Sequence, residues 1–300
     1  VMPMSQLVSQ WRMFMQFRES MKRLNEVFAL PSDRQDSAVD MGRPQGIIKL
    51  EKLVYKYAPD GAPAIDTVDG VIGPRGLHGI IGANGSGKST LLKLIRGVYP
   101  PVEGRVLLDD ADIEQFTSRQ MAARVGYLPQ ECTLFAGTVR DNIAIAHPDA
   151  EDAEIIEASK RAQAHQFIID SPDGYGSSLT EGGSGLSAGQ RQRIAIARTM
   201  LKEPAVLLLD EPSGNLDRDA ERGLADSLRA YSRKNTVLVV THSPTILEVC
   251  DSILVLEKGH VAMAGPAAQV LSRLDASPKP GEPQADETVP ETSTRREAPA

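Results

Sequence analysis

The segment from Leu77 to Arg96 constrains the fold of this 300-residue chain more than any other part of it. The apolar run Leu77–Ile81 has the composition of a buried strand, and the octapeptide GANGSGKS (82–89) follows it directly. A helical run, Thr90–Arg96, comes next. This strand–loop–helix order is the context that the pattern G-x-x-x-x-G-K-[ST] requires, and it predicts an α/β domain with a phosphate-binding loop. A Rossmann fold is excluded, because the G-x-G-x-x-G spacing and the later ribose-binding acid are absent here.

The residue types in this loop suit the binding of a nucleotide. Its glycines let the backbone wrap closely, so that consecutive N–H groups point at a phosphate. The following helix adds the unpaired N–H groups and the partial positive charge of its N-terminus. In this pattern Lys88 reaches the β- and γ-phosphates, and the Ser89 hydroxyl ligates Mg²⁺. The residues of the loop predicted to bind nucleotide are Gly82, Asn84, Gly85, Ser86, Gly87, Lys88, Ser89 and Thr90.

Two acids and a histidine follow later apolar strands. The run Val206–Leu209 ends in Asp210 and Glu211, and carboxylates at the C-terminal end of a buried strand lie where open α/β sheets bind ligands. We expect Asp210 to hold Mg²⁺ and Glu211 to polarise the water that attacks the γ-phosphate. The next strand, Thr236–Val240, leads to His242, which could hydrogen-bond the same phosphate and sense its loss.

The remaining pattern between Ile47 and Leu274 alternates short apolar runs with helical segments, which predicts a largely parallel sheet. Further strands are predicted at Val106–Leu108 and Ile253–Leu256, and one helix at Ala150–Gln166. The net charge of −7 argues against nucleic acid as a partner, and two cysteines cannot form a disulfide framework. No run approaches the roughly 18 apolar residues that cross a bilayer.

Both ends of the chain differ from its middle. The first 45 residues predict one amphipathic helix ending before Pro31, which either packs on its own domain or has partners outside this chain. The polar connector Ser32–Arg43 follows this helix. The last 26 residues, from Asp275, are rich in proline and charge, which predicts a disordered tail. The predicted units are therefore 1–45, 46–274 and 275–300.

The segment GLSAGQRQR (185–193) closely resembles the L-S-G-G-Q signature of ATP-binding cassette (ABC) ATPases, with Ala188 at the first of the two glycines. The phosphate loop, this signature and the acidic strand occur in that order in the family. The resemblance implies the P-loop ABC-ATPase fold: a mainly parallel core sheet, an antiparallel β part and a helical signature subdomain at about 131–204. It also implies that Ser187, Gly189 and Gln190, at the start of helix Gln190–Leu201, contact ATP held by a second cassette.

Further positions match the family residue by residue. Tyr57 stands where an aromatic ring stacks on adenine, and Tyr55 falls two residues early. Gln130 resembles the glutamine that joins Mg²⁺ and the attacking water to the membrane domain. Asp217 matches the loop that carries signals across the dimer, although Gly214-Asn215 replaces the usual Ser-Ala. His242 matches the switch histidine. The implied ligands are ATP and Mg²⁺, with Ser89, Gln130 and Asp210 at the metal.

Three segments resemble the exporter type of cassette. Leu134–Ile143 and Thr180–Gly183 resemble exporter loops, and Glu181 is expected to contact the coupling helices. Trp11–Arg18 and Met21–Asn25 look like the stretch that precedes the cassette in type I secretion transporters. In the exporter type, the cassette is fused behind six membrane helices. Because the chain opens on Val1 rather than Met, we expect such membrane spans upstream and take 1–45 as the end of the last one with its linker.

The resemblance thus implies an ATPase that powers polypeptide export from the cytoplasmic face of a bacterial inner membrane. Its expected partners are a second cassette (a homodimer or a heterodimer), the membrane domain, a periplasmic adaptor and an outer-membrane channel. Three alternatives stay open at this point: an exporter of lipid, peptide or small molecules, a separate importer subunit, and a soluble non-transport ABC ATPase.

Overall fold

The computed structural model describes residues 2–28, 42 and 44–276. The strands are β1 Ile48–Tyr55, β2 Ile65–Ile72, β3 Gly76–Ile81, β4 Glu103–Leu108, β5 Ala111–Asp112, β6 Val125–Leu128, β7 Gly137–Thr138, β8 Ser178–Leu179, β9 Val206–Asp210, β10 Thr236–Val240, β11 Ser252–Glu257 and β12 His260–Pro266. The helices are α1 Met2–Phe28, α2 Lys88–Arg96, α3 Ser118–Arg124, α4 Val139–Ala144, α5 Asp152–Arg161, α6 His165–Ile169, α7 Ala188–Met200, α8 Arg218–Ser232, α9 Pro244–Glu248 and α10 Ala267–Ala276.

The central sheet has the strand order β12-β11-β3-β10-β9-β6. Only β12, at one edge, runs antiparallel to its neighbour, so the predicted, mainly parallel core sheet is confirmed. Strand β10 coincides with its predicted range, and β3 begins one residue before the predicted Leu77. The acidic strand β9 therefore lies between β10 and β6, one strand away from the strand that enters the phosphate loop.

Alternate residues of the two central strands enter two different cores. On one face, Leu207, Leu209, Val237 and Val239 pack with the hydrophobic residues of α7 and α8. On the other face, Leu208 and its neighbours pack with α2 and the antiparallel strands. Successive side chains of a strand point to opposite faces. Because both faces of the sheet are covered, β9 and β10 are buried along their whole length, and only Asp210 and Thr236 in them are polar.

The antiparallel part is a second sheet with the order β2-β1-β4-β5. Strand β1 pairs antiparallel with both β2 and β4. Helices α4, α5, α6 and α7 and the short β7–β8 pair form the predicted helical subdomain, and contacts join α7 to both α4 and α5. The predicted ABC-ATPase architecture is thus present.

The single helix predicted at Ala150–Gln166 is wrong. The structure has two helices, α5 and α6, and Ala162–Ala164 separates them. Gln163 adopts a left-handed conformation with φ of 57°, which a continuing helix cannot accommodate. Apolar periodicity continues across this break, so the sequence pattern did not reveal it.

Helix α1 agrees with the predicted N-terminal helix and ends before Pro31. Its Trp11, Phe14 and Phe17 side chains stay 65%, 53% and 62% exposed, so the described cassette does not cover them. No helix among the described residues combines the length and apolarity that crossing a membrane requires. Most of the predicted connector Ser32–Arg43 and tail 275–300 lies outside the described residues; Asp275 and Ala276 are the last residues of α10.

Candidate nucleotide site

The loop between β3 and α2 is built around glycines that no other residue replaces easily. A Cβ at Gly82 would lie 2.2 Å from the Leu256 carbonyl oxygen, and one at Gly87 would lie 2.4 Å from the Ala64 carbonyl oxygen. Gly87 is also the N-cap of α2, with φ of 103°. These contacts draw the loop backbone tightly against two neighbouring segments and leave the first N–H groups of α2 directed out of the helix end.

Two polar side chains of the loop, those of Lys88 and Ser86, are suited to bind a phosphate. The ammonium of Lys88 folds back and donates hydrogen bonds to the Gly82 and Ala83 carbonyl oxygens at 2.7 and 3.0 Å. The Ser86 hydroxyl is buried and has no hydrogen-bond partner in the part of the chain that the structure describes. A buried cation and an unpaired hydroxyl beside a helix N-terminus suit a phosphate group. The residues present therefore fit the nucleotide that the sequence predicts.

A cleft of about 610 Å³ lies over this loop. The predicted site residues among its lining are Tyr57, Asn84, Gly85, Gly87, Lys88, Ser89, Thr90, Gln130, Asp210 and Glu211. The structure thus brings together, in one cleft, segments that are up to about 150 residues apart in the sequence. Gly82 and Ser86 belong to the loop without lining the cleft, and the signature residues are not part of its wall.

The two acids at the end of β9 differ in their surroundings. Asp210 is only 2% exposed, and its burial raises the pKa of its carboxyl, an effect that Ser89, Lys93 and Lys88 partly offset. Burial also raises the pKa of Glu211, and the nearby His242 opposes this shift. The Asp210 carboxylate and the Ser89 hydroxyl offer oxygen ligands, which Mg²⁺ prefers.

Glu211 faces the histidine at the end of the neighbouring strand. Its Oε1 lies 3.5 Å from Nε2 of His242, because β9 and β10 are adjacent and parallel. Glu211 has φ of 50°, and its backbone N–H donates to the Val240 carbonyl oxygen at 2.9 Å. The strand-end positions of these two residues therefore bring the predicted base and the predicted switch together.

The tyrosine predicted to stack on adenine lies at the rim of the cleft. The Tyr57 hydroxyl is 2.9 Å from Oγ1 of Thr90, and its ring is 60% exposed. Tyr57 meets Tyr55 and Tyr99 edge-on, whereas those two rings stack on each other with centroids 5.2 Å apart. Tyr57 lines the cleft and Tyr55 does not.

The signature and the Asp217 loop lie at two other helix starts. Ser187 caps α7 and forms a capping box with Gln190, with bonds of 3.2 and 2.8 Å. Asp217 caps α8 by accepting from the Ala220 backbone N–H at 2.9 Å, and this hydrogen bond lowers the pKa of its carboxyl. A Cβ at Gly189 would lie 2.4 Å from the Asn215 carbonyl oxygen, so the two segments pack directly on each other.

Sequence reasoning missed two buried polar residues that hold these segments. Gln192 bridges α7 to the loop after β9. Asn142, 1% exposed, binds the backbone of Phe135 and Thr138 and accepts a hydrogen bond from Arg198. Gln192 lies in the signature segment and Asn142 in the exporter-like segment Leu134–Ile143, and each has polar or charged neighbours in the sequence. No local pattern therefore marks either amide as buried or indicates its partner.

Comparison with known proteins agrees with this geometry. Residues 65–214, half of the chain, match the family model described as ABC transporter. The chain belongs to the ABC transporter family. It is 38% identical over 263 residues to the cyclolysin secretion/processing ATP-binding protein CyaB of Bordetella pertussis. This match covers 88% of this chain and 37% of that protein.

The names of two other relatives describe different transport processes. The type I secretion system ATP-binding protein PrsD of Rhizobium meliloti is 36% identical, covering 91% of this chain and 47% of that protein. The ATP-dependent lipid A-core flippase of Chromohalobacter salexigens is 36% identical, covering 83% and 43%. The chain thus spans less than half the length of each of these relatives.

A solved structure of a bacterial Atm1-family ABC exporter with ATP bound superimposes on the cassette with a TM-score of 0.78. Its sequence is 31% identical, and the match covers 88% of this chain and 47% of that one. The fold is therefore that of an ABC exporter's ATP-binding cassette.

Proposed function

We propose that this chain is the ATP-hydrolysing cassette of an ABC exporter, and that it powers export through an ATP-bound dimer. The observation that carries the proposal is the common cleft: the phosphate loop, Gln130, Asp210 and Glu211 line one space. A loop that holds the phosphates and an acid that activates water are the two requirements for hydrolysis of a phosphoanhydride.

Each residue of the cleft then has one task. Lys88 leaves its two carbonyl acceptors and pairs with the β- and γ-phosphates, while Ser86 and the loop N–H groups bind the remaining oxygens. Tyr57 stacks on the adenine. Glu211 accepts the proton of the attacking water, and His242 hydrogen-bonds the γ-phosphate and orients Glu211.

Ser89, Asp210 and Gln130 would hold Mg²⁺, which neutralises charge on the β- and γ-phosphates when it is bound. Their chemistry suits this ion, since all three offer oxygen ligands on one side of the cleft. Burial raises the pKa of the Asp210 carboxyl, and the Ser89 hydrogen bond and the charges of Lys93 and Lys88 oppose this shift.

The position of the signature supports a two-chain site. Ser187, Gly189 and Gln190 stand at the N-terminus of α7 and do not line the cleft of their own chain. We infer that they contact the γ-phosphate held by a second cassette, with Asp217 beside them. Binding energy for the closed dimer then depends on the γ-phosphate, so hydrolysis weakens the closed state.

Transport coupling is the part of the proposal that rests on the relatives. The names of CyaB and PrsD support a role in secretion. We infer that the cargo is a polypeptide and that the cassette acts at the cytoplasmic face of a bacterial inner membrane. In this arrangement Phe135, which is 49% exposed, and Glu181 face the membrane domain. A periplasmic adaptor and an outer-membrane channel would complete the secretion pathway.

The test compares phosphate release by the wild-type chain, Glu211→Gln and the matched control Glu257→Gln. Glu257 is an exposed acid at the end of β11 and does not line the cleft. We expect Glu211→Gln to bind Mg-ATP, to lose turnover by at least about a hundredfold, and to accumulate as an ATP-dependent dimer in size measurements. Glu257→Gln should match the wild type.

Turnover at the wild-type rate in Glu211→Gln would refute the role of Glu211. Failure of the wild-type chain to bind Mg-ATP would refute the proposed site altogether.

A further inference from the structure

Gln192 connects the signature helix to the backbone of the proposed catalytic base. Its side chain is 3% exposed and sits one turn into α7. Nε2 donates a hydrogen bond to the Glu211 carbonyl oxygen at 2.7 Å. Oε1 accepts one from Nδ2 of Asn215 at 3.2 Å. This one buried amide thus donates to the residue that directly follows β9 and accepts from the loop after it.

The backbone of Glu211 needs such support, because it is not in a relaxed conformation. Its φ of 50° is left-handed, a conformation that residues with a Cβ rarely adopt. The N–H side is held by Val240 at 2.9 Å, from within the same sheet. On the carbonyl side the Gly214 N–H is 3.4 Å away, so the short bond comes from Gln192. Strained backbone persists where its surroundings fix it.

Asn215 supplies the side-chain donor that joins the loop after β9 to Gln192. Its carbonyl oxygen packs against Gly189 so closely that a Cβ there would lie at 2.4 Å. The loop is therefore held to α7 both by packing at Gly189 and by the hydrogen bond to Gln192.

We propose that Gln192 and Asn215 form a clamp that positions Glu211 for catalysis from the signature helix of the same chain. Gln192 is a positioning residue, since it touches the backbone of Glu211 and not the nucleotide cleft. This inference rests on the proposed ATP hydrolysis. It concerns the geometry of the base rather than the binding of ATP, so it predicts a change in kcat with little change in affinity.

The experiment uses the 300-residue chain and two glutamine-to-methionine variants, which keep the side-chain length while removing both polar atoms. Gln192→Met breaks the clamp. Gln163→Met is the matched control, because Gln163 also donates to a backbone carbonyl oxygen, that of Gly223 at 3.2 Å, but has no contact with Glu211. We measure kcat from phosphate release, Kd for Mg-ATP by calorimetry and Tm for each variant.

We expect Gln192→Met to lower kcat by at least about tenfold, because small displacements of a catalytic group are costly, while Kd for Mg-ATP stays within about threefold. Gln163→Met should keep kcat within about twofold of the wild type. If Gln192→Met keeps the wild-type kcat, or if its loss is fully explained by a weaker Kd, the clamp has no catalytic role.

Asn215→Ala provides a second test that does not disturb the core, because Asn215 is exposed. We expect a loss of kcat of about threefold or more with unchanged Kd, and no further loss when it is added to Gln192→Met, since both act through one hydrogen-bonded unit. A wild-type kcat in Asn215→Ala, or additive losses in the double variant, would overturn the proposal. Wild-type chain without phosphate release would instead contradict the proposed function.

Discussion

Replacing Asn142 with alanine removes four buried hydrogen bonds at once. Oδ1 accepts from the Phe135 backbone N–H at 2.9 Å and from the Arg198 guanidinium at 3.0 Å. Nδ2 donates to the carbonyl oxygens of Phe135 at 2.8 Å and Thr138 at 3.0 Å. Asn142 is only 1% exposed, so water cannot replace these partners in the folded chain. The residue thus fixes the segment that carries Phe135, which we propose to face the membrane domain.

The expected cost follows from this count. Each buried hydrogen bond contributes about 1 kcal/mol net, which gives a loss of roughly 4 kcal/mol in the free energy of unfolding. For a domain of this size, each kcal/mol lowers Tm by about 2–4 °C, so we expect a fall of roughly 8–16 °C. Arg198 keeps its hydrogen bonds to the backbone carbonyl oxygens of Asn142 and Thr133 in this variant, so only the hydrogen bonds of the Asn142 side chain are lost.

The matched control is Asn235→Ala. Asn235 is also buried, at 6% exposed, but donates only one hydrogen bond, to the Tyr231 carbonyl oxygen at 3.3 Å. This variant should lose about 1 kcal/mol and about 2–4 °C in Tm. Thermal and urea denaturation of both variants provide the measurement. Equal losses of stability would refute the reasoning, because the number of hydrogen bonds would then not determine the cost.

Two further expectations concern the loop glycines and the cysteines. Gly87→Ala should weaken Mg-ATP binding by at least about tenfold, because its Cβ would lie 2.4 Å from the Ala64 carbonyl oxygen. Gly85→Ala should weaken binding less, because no atom lies within 4 Å of its Cβ and only the left-handed backbone conformation is unfavourable. Calorimetry that shows equal affinities for both variants would contradict this. Burial raises the pKa of Cys250 to about 12 from the ordinary 9.0, which leaves about a thousandfold less thiolate at pH 8. Iodoacetamide should therefore modify Cys132 before Cys250 in the folded chain, and peptide mass spectrometry showing the reverse order would contradict it.

The sheet and the phosphate loop were predictable because their determinants are local. The glycines of the loop are needed for backbone reasons that the motif itself encodes, and β10 is a continuous apolar run with polar residues at its end. Once parallel strands are predicted, their carboxyl ends must meet at one edge of the sheet. For this reason the sequence alone predicts that Asp210, Glu211 and His242 lie near one another.

The missed features depend on contacts that no local pattern encodes. The break between α5 and α6 follows from the left-handed Gln163, whose side chain binds Gly223, 60 residues away in sequence. Asn142 binds Arg198 across 56 residues, and Gln192 binds Glu211 across 19. Each of these amides has its partner in another segment of the chain, so the partner becomes visible only when the chain is folded.

The capping role of Ser187 is compatible with the phosphate contact that we propose for it. In the capping box its hydroxyl oxygen accepts a hydrogen bond from the Gln190 backbone N–H. A hydroxyl has one donor and two acceptor positions, so accepting this bond leaves its proton available for a phosphate oxygen. The N–H groups of Ala188 and Gly189, in the first turn of α7, have no partner four residues earlier within the helix. The cap therefore fixes the helix start in one geometry while Ser187 and Ala188 stay exposed, which is the arrangement that a phosphate presented by a second chain requires.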